Sequence, residues 1–83
     1  MKTVIYDRAA LKVLARIPVP VAQRIRSKVA AYAIDPASQA NNVVALQGRP
    51  GVRLRVGDWR MIMHEDGRVI AVVEIGPRGG IYD

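Results

Sequence analysis

The feature that most constrains the fold is a change in hydrophobic period part-way along the chain. Between residues 52 and 75, short apolar or alternating runs are separated by turn residues at Gly57–Asp58 and Asp66–Gly67. The run from Val52 to Val56 alternates strictly, which is typical of a strand with one wet face. Turns this tight join neighbouring antiparallel strands. The C-terminal half is therefore predicted to form an antiparallel sheet.

The first third of the chain has a helical period instead. Residues 8–16 and 21–33 carry apolar side chains three or four positions apart, as amphipathic helices do. Asp7 is a predicted N-cap of the first helix. Pro18 and Pro20 separate the two helices, because proline is tolerated in a first helical turn but not in a helix interior. These residues predict a helical hairpin.

Short strands complete the predicted domain. Residues 2–6 are rich in β-branched and aromatic side chains, residues 43–46 are apolar, and Gly76–Pro77 is expected to end the last strand. The expected fold class is α+β, in one domain over residues 1–83. It has an N-terminal strand, an αα hairpin, then a three- to four-stranded antiparallel sheet with the helices packed on one face.

Strand parity predicts which side chains share a face, since alternate residues of a strand project to the same side. The helix side is expected to receive Leu54, Val56, Met61, Met63, Val73 and Ile75. The open side is expected to carry Arg53, Arg55, Arg60, His64 and Glu74, with Arg78 just past the last strand. Any single arginine there could be an ordinary solvated residue, but like charges side by side reduce stability unless an anion offsets them.

Charge points to the same kind of ligand. Thirteen Lys and Arg against seven Asp and Glu give a net charge of +6, and a small basic domain usually meets a polyanion or an acidic protein. All basic residues from position 49 onward are arginines, whose forked donor suits phosphate. These are Arg49, Arg53, Arg55, Arg60, Arg68 and Arg78.

Composition also excludes several classes of site. The chain has no cysteine and a single histidine, so we expect no disulfide, no metal and no cofactor. No apolar stretch approaches the ~20 residues of a membrane span, and the first residues lack a signal-peptide pattern. We therefore expect a cytoplasmic protein without a membrane partner.

Three segments together resemble the RelE/ParE toxin superfamily: Leu-Gln-Gly-Arg-Pro-Gly-Val-Arg-Leu-Arg-Val-Gly-Asp-Trp-Arg at residues 46–60, Asp-Gly at 66–67, and Ile-Gly-Pro-Arg-Gly-Gly-Ile-Tyr at 75–82. RelE-like members are ribosome-dependent endoribonucleases that cleave messenger RNA without a metal. ParE members share the fold but inhibit DNA gyrase. The resemblance also implies a cognate antitoxin and, through the toxin–antitoxin complex, operator DNA as partners.

The resemblance assigns candidate roles to individual residues. It implies that Arg60 and Arg78 are catalytic and hold the scissile phosphate, and that Arg53 and Arg55 bind the RNA backbone, with Arg49 as a further phosphate-binding candidate. Tyr82 is implied as a third catalytic residue, which stacks on a base or transfers a proton.

Other features leave alternatives open. His64 is a candidate for proton transfer if it lies near Arg60, although a lone histidine on a strand is more often a surface or packed residue. Trp59 could stack on a base, but its parity with the methionines favours the core. Arginine stands where active RelE members often have lysine, and Pro77 and Gly79 replace basic residues of many relatives. These departures keep two alternatives open: a ParE-like gyrase inhibitor, and a degenerate toxin that acts as an antitoxin-bound regulator.

Overall fold

A computed structural model describes residues 1–81, which form two α-helices and a five-stranded sheet. In chain order the elements are β1 (Thr3–Tyr6), α1 (Arg8–Arg16), α2 (Val19–Ile34), a 3₁₀ segment (Pro36–Asn42), β2 (Val43–Ala45), β3 (Val52–Val56), β4 (Trp59–Glu65) and β5 (Val69–Pro77). The predicted α+β fold is confirmed, with four strands after the helical hairpin. None of the helices in this range is long and apolar enough to cross a membrane.

The sheet is mixed: the predicted antiparallel strands after the hairpin are confirmed, and the N-terminal strand, whose pairing was not predicted, adds parallel to them. The spatial order is β1-β5-β4-β3-β2; β2 to β5 are antiparallel, whereas β1 runs parallel to β5. The helical hairpin separates β1 from the meander and leaves it beside the last strand. Backbone bonds from Thr3 N to Arg68 O and from Asp7 N to Val72 O, both 2.9 Å, flank the parallel pair.

The helices cover one face of the sheet and enclose the main core, as predicted. Its fully buried side chains come from α2 and from all three long strands: Ile25, Val29, Leu54, Met61, Met63, Ile70 and Val72. Trp59 is half-buried and packs against this core, which confirms its assignment to the helix side. Asp7 takes the N-cap position of α1, but its side chain makes no hydrogen bond to the helix.

A β-bulge in β5 corrects the predicted parity of that strand. Ile62 pairs with Glu74, but the next residue of β4, Met63, pairs with Val72. One residue of β5 is therefore unpaired, which reverses the alternation beyond it. Val72 is fully buried in the helix-side core and Val73 is only half-buried, so the prediction that Val73 lies under the helices is wrong.

The last strand also continues further than predicted. Gly76 pairs with Arg60 and Pro77 with Trp59, so Gly76–Pro77 belongs to β5 and does not end it before Gly76. Proline fits here because β1 pairs only with the first part of β5. Beside Pro77, the edge of β5 that faces away from β4 pairs with none of the described strands. The missing N–H of proline therefore breaks no hydrogen bond on that edge.

Residues 46–51 fold onto one end of the open face. Leu46 N donates to Gly51 O at 3.1 Å, and Leu46 and Ile62 are buried although neither belongs to the helix-side core. Gly51 has φ +115°, and a Cβ there would lie 2.7 Å from both Met63 O and His64 Cδ2. This close approach requires glycine, and it places residues 46–51 at the His64 end of the face.

A polar cluster ties β1, α2 and β4 together. Glu65 accepts hydrogen bonds from Tyr32 Oη and Lys2 Nζ, each at 2.7 Å. The hydrogen bond from Lys2 lowers the pKa of Glu65, an effect that burial opposes and the Tyr32 bond reinforces. Burial, followed by the bond to Glu65 and its charge, raises the pKa of Tyr32 to about 12.

Candidate anion-binding site

The open face places two arginines directly opposite each other. Arg55 of β3 pairs with Arg60 of β4, and Arg60 in turn pairs with Gly76 of β5. Directly opposed residues have Cβ atoms about 4.5–5.5 Å apart, and like charges in such pairs are destabilising. The row therefore concentrates positive charge between β2 and β5.

A shallow cavity of about 160 Å³ opens at this row. Its lining consists of Asn41, Asn42, Val44, Arg53, Arg55 and Arg60. Three of these six residues are arginines and two carry side-chain amides, so hydrogen-bond donors dominate the walls. A cavity of this size admits a phosphate group but not a buried nucleotide.

Hydrogen bonds to backbone oxygens hold Arg60 at the base of the cavity. Its Nη1 donates to Gly57 O at 2.9 Å and to Trp59 O at 3.0 Å. Both acceptors belong to the β3–β4 turn or its edge, so the turn positions the guanidinium. Because Arg60 is only partly exposed, its position is better defined than that of a solvated side chain.

A backbone hydrogen bond to the β3–β4 turn holds Arg78, just past the end of β5, near Arg60. The Arg78 backbone N donates to Asp58 O at 2.6 Å, which ties the end of β5 to the β3–β4 turn. Partial burial, followed by the positive charges of Arg55, Arg78 and Arg53, lowers the pKa of Arg60, while Asp58 raises it. Three of the predicted site arginines therefore act electrostatically on the fourth, Arg60.

The chain after β5 folds back over the open face. Gly80 N donates to Pro77 O at 2.9 Å, and Gly79 has φ +83°, so a tight turn reverses the chain. A Cβ on Gly76 would lie 2.8 Å from Ile81 Cδ1, which puts Ile81 against Gly76 and next to the Arg60 row. The candidate catalytic Tyr82 follows Ile81 in sequence and lies outside the described residues.

The remaining candidate residues lie away from the cavity. Arg49 forms a long ion pair with Glu74, with Nη1 and Oε1 4.0 Å apart. His64 is exposed beside Gly51, four residues along β4 from Arg60, which corresponds to about 13 Å of strand. The structure thus separates His64 and Arg49 from the group around Arg60.

The outer faces of the helices carry further basic residues. Arg24 and Lys28 are exposed on α2, whereas the guanidinium of Arg26 lies 5.0 Å from the ring centroid of Tyr6, a cation–π geometry. Within residues 1–81, no three His, Cys, Asp or Glu side chains are grouped so as to hold a metal ion.

Sequence comparison identifies the family. The model of a family described as "ParE toxin of type II toxin-antitoxin system, parDE" matches residues 4–82, which is nearly the whole chain. The chain belongs to this family. It is thus a toxin of a type II toxin–antitoxin system, within the RelE/ParE superfamily that the motifs indicated. Among curated proteins no sequence match was found.

Solved structures share the fold of this ParE-family toxin. An archaeal RelE–RelB complex from Pyrococcus horikoshii OT3 matches with a TM-score of 0.81 and 23% identity, over 96% of this chain and 98% of the other. A RelB–RelE antitoxin–toxin complex from Methanococcus jannaschii matches with a TM-score of 0.73 and 19% identity, over 95% of each chain. The RelBE2 toxin–antitoxin complex from Mycobacterium tuberculosis matches with a TM-score of 0.63 and 20% identity, over 93% of this chain and 98% of the other.

Three residues of the toxin's cavity, Asn41, Asn42 and Val44, were not predicted as site residues. Asn41 and Asn42 belong to a segment that looked like a polar connection. The printed register pairs Val43 with Leu54, so one further step places Asn42 opposite Arg55. An amide pair immediately before the short strand predicted at residues 43–46 was the available signal.

Chemically, this arrangement is suited to binding and polarising an anion, but its arginines provide no proton acceptor. Guanidinium groups remain charged in proteins and donate up to five hydrogen bonds each. Prepositioned donors of this kind stabilise charge that develops on phosphoryl oxygens. The site residues around Arg60 therefore suit phosphate binding and transition-state stabilisation.

Proposed function

We propose that this toxin cleaves messenger RNA on the ribosome and binds the scissile phosphodiester in the arginine-lined cavity. The observation that carries the proposal is the direct pairing of Arg55 with Arg60, with Arg53 and Arg78 close enough to lower the pKa of Arg60. Such a concentration of like charge costs folding free energy. An anionic ligand on this face offsets that cost.

The proposed reaction is an internal transesterification. The 2′-oxygen of RNA loses its proton to a base and forms a bond to phosphorus, and the bond from phosphorus to the 5′-oxygen breaks. The leaving 5′-oxygen takes up a proton, and the other product carries a 2′,3′-cyclic phosphate. Arg60 and Arg78 hold the phosphoryl oxygens and stabilise their charge, and Arg53 and Arg55 bind the flanking backbone.

Proton transfer is assigned to Tyr82 in this proposal. Arginine almost never loses its proton, and His64 lies about four strand residues from Arg60, roughly 13 Å along β4. A phenol has an ordinary pKa near 10, and adjacent positive charge favours its ionised form. The proposal therefore requires Tyr82 to come close to the arginines when RNA is bound.

The proposed partners are an antitoxin and the translating ribosome. The similar solved structures are complexes of RelE toxins with RelB antitoxins, which supports a cognate antitoxin for this chain. We further propose that the toxin reaches operator DNA only through that complex.

A second candidate function is inhibition of DNA gyrase without nuclease activity. The family model that matches the chain is that of ParE, which favours this alternative. Under it, the arginine face would bind gyrase or its DNA and no RNA would be cut.

Expression of the toxin in bacteria without antitoxin separates these functions. The expected result is growth arrest with discrete, translation-dependent cuts in an abundant message, mapped by primer extension. Arg60→Gln and Arg78→Gln are each expected to relieve the arrest. Arg68→Gln is the matched control, because it removes the same charge from the exposed β4–β5 hairpin. Intact messages together with failed supercoiling would establish the gyrase alternative and overturn the nuclease proposal.

A further inference from the structure

A chain of side-chain amides connects the buried side of the 3₁₀ segment to the cavity. Gln39 is a polar residue only 5% exposed, and its Oε1 accepts from Asn42 Nδ2 at 3.3 Å. Asn42 Oδ1 in turn accepts from Arg55 Nη2 at 3.3 Å. We call this Gln39–Asn42–Arg55 connection the amide relay.

Donor and acceptor chemistry fixes the direction of the amide relay. A guanidinium has donors only, so the Asn42 amide must turn its oxygen toward Arg55. Its nitrogen then faces Gln39 Oε1, and this leaves Gln39 Nε2 to donate to Ser38 Oγ at 3.4 Å. The Ser38 hydroxyl donates to Asp35 O at 2.7 Å. The direction of each hydrogen bond is thus fixed at one end by the guanidinium of Arg55, which can only donate, and at the other by the backbone oxygen of Asp35, which can only accept.

Arg55 needs such an anchor because its surroundings repel it. It lies on the exposed face directly opposite Arg60, and Arg53 lies two residues away on the same face of β3. Without an acceptor its flexible side chain would move into solvent, away from the like charges. Asn42 Oδ1, together with Asn41 O at 3.5 Å, keeps one guanidinium nitrogen at the cavity wall. The other donors of the group remain available to a ligand.

We propose that Gln39 and Asn42 are positioning residues that hold Arg55 against Arg60 and thereby set the affinity of the cavity for an RNA phosphodiester. The inference rests on the proposed function only in assuming that the cavity binds RNA phosphate. Neither residue touches the reacting atoms. Their effect on RNA acts entirely through Arg55.

A double-mutant cycle tests this dependence. The purified full chain is titrated against a short single-stranded RNA with 2′-O-methyl groups, which cannot be cleaved, and binding is followed by fluorescence anisotropy at fixed low salt. Asn42→Ala is expected to weaken binding roughly three- to fivefold, as for the loss of a typical hydrogen bond at an exposed site. In an Arg55→Ala background the same substitution is expected to change binding less than twofold.

Two further variants keep the test sharp. Asn41→Ala is the matched control: Asn41 lines the same cavity but reaches Arg55 through its backbone oxygen, so its truncation should leave Arg55 in place. Gln39→Met keeps the buried volume but removes the anchor of Asn42, and it is expected to weaken binding in the same direction. Gln39→Met carries the test if Asn42→Ala does not fold, as judged by circular dichroism.

The outcomes distinguish the two proposals. Equal losses from Asn42→Ala with and without Arg55, or no loss at all, would overturn the amide relay. A loss on Arg60→Ala with none on Arg55→Ala would also overturn it, while leaving RNA binding by the cavity intact. If neither arginine substitution changes the affinity, the cavity is not the phosphate site and the proposed function itself fails.

Discussion

Removing the charge of Arg55 is expected to stabilise the folded toxin. Arg55 lies directly opposite Arg60, and Arg60 cannot retreat because its Nη1 is bonded to Gly57 O and Trp59 O. The substitution Arg55→Gln keeps a side chain of similar polarity and deletes the repulsion. A residue that binds a ligand at a cost to the free protein should behave in this way.

The magnitude follows from the geometry of the pair. Opposed Cβ atoms lie about 5 Å apart, and two unit charges at about 6 Å in water repel by about 0.7 kcal/mol. Arg53, two residues along the same face of β3 and so about 7 Å away, adds about 0.6 kcal/mol of repulsion. The hydrogen bond from Arg55 to Asn42 Oδ1, at 3.3 Å, offsets about 0.8 kcal/mol of the total in the wild type. We expect a net gain in the free energy of unfolding of about 0.5 kcal/mol at low salt. The screening length falls from about 30 Å at 0.01 M salt to about 3 Å at 1 M, so the gain should disappear at 1 M.

Urea denaturation at both salt concentrations measures this difference. Arg68→Gln is the control, because it makes the same change in net charge on the exposed β4–β5 hairpin. The reasoning is refuted if Arg55→Gln is less stable than Arg68→Gln at 0.01 M salt. It is equally refuted if the gain from Arg55→Gln persists unchanged at 1 M, because a Coulombic repulsion must be screened.

Three further substitutions, the first with a control, test the Gly51 turn, the polar cluster around Glu65 and the contact at Gly76. Gly51→Ala should cost about 2–3 kcal/mol in urea denaturation, from strain at φ +115° and the clash with β4, whereas Gly48→Ala, at φ +76° with open space around it, should cost about 1 kcal/mol. Tyr32→Phe removes a 2.7 Å bond to Glu65 and should cost about 1 kcal/mol at neutral pH. Because the folded pKa of Tyr32 is raised to about 12, the wild type should lose stability between about pH 10 and 12. The variant should lose less over this range, since only Tyr6, whose pKa burial also raises, then contributes among these two tyrosines. Gly76→Ala should shift the NMR methyl resonances of Ile81, which lies against Gly76, and should reduce toxicity with little change in melting temperature. Unchanged Ile81 resonances would contradict that contact.

Much of the fold was predictable because its local signals agree with its global arrangement. Pro18 and Asp35 mark helix ends that the structure keeps, and the alternation from Val52 to Val56 is β3. What was missed or wrong lies where a contact between distant parts of the chain decides the structure. Parallel pairing of β1 depends on the strand it reaches across the fold, and the bulge that exchanges Val73 for Val72 on the core side depends on the register with β4.

The candidate site was predictable in its arginines but not in its amides. Strand parity alone predicts that Arg53 and Arg55 lie on the same face. The tight β3–β4 turn then places Arg60 opposite Arg55. Asn42 gives no periodic signal, because it precedes a strand of only three residues. Its position follows from the register of β2 on β3, which a sequence with so short an edge strand does not specify.

A nuclease of this kind needs both a phosphate-binding group and a proton acceptor. The proposal assigns the first to the arginines around Arg60 and the second to Tyr82. Around Arg60 the described residues provide fixed donors and positive charge, which bind phosphate in both of the proposed functions. What distinguishes cleavage from binding is a group that accepts the 2′-hydroxyl proton, and arginine does not supply one. Ile81 lies against Gly76, which pairs with Arg60, and Tyr82 is the next residue in sequence. Tyr82→Phe therefore separates the two functions: it should abolish RNA cuts while leaving RNA affinity nearly unchanged, whereas a gyrase inhibitor that uses the arginine face alone should keep its toxicity.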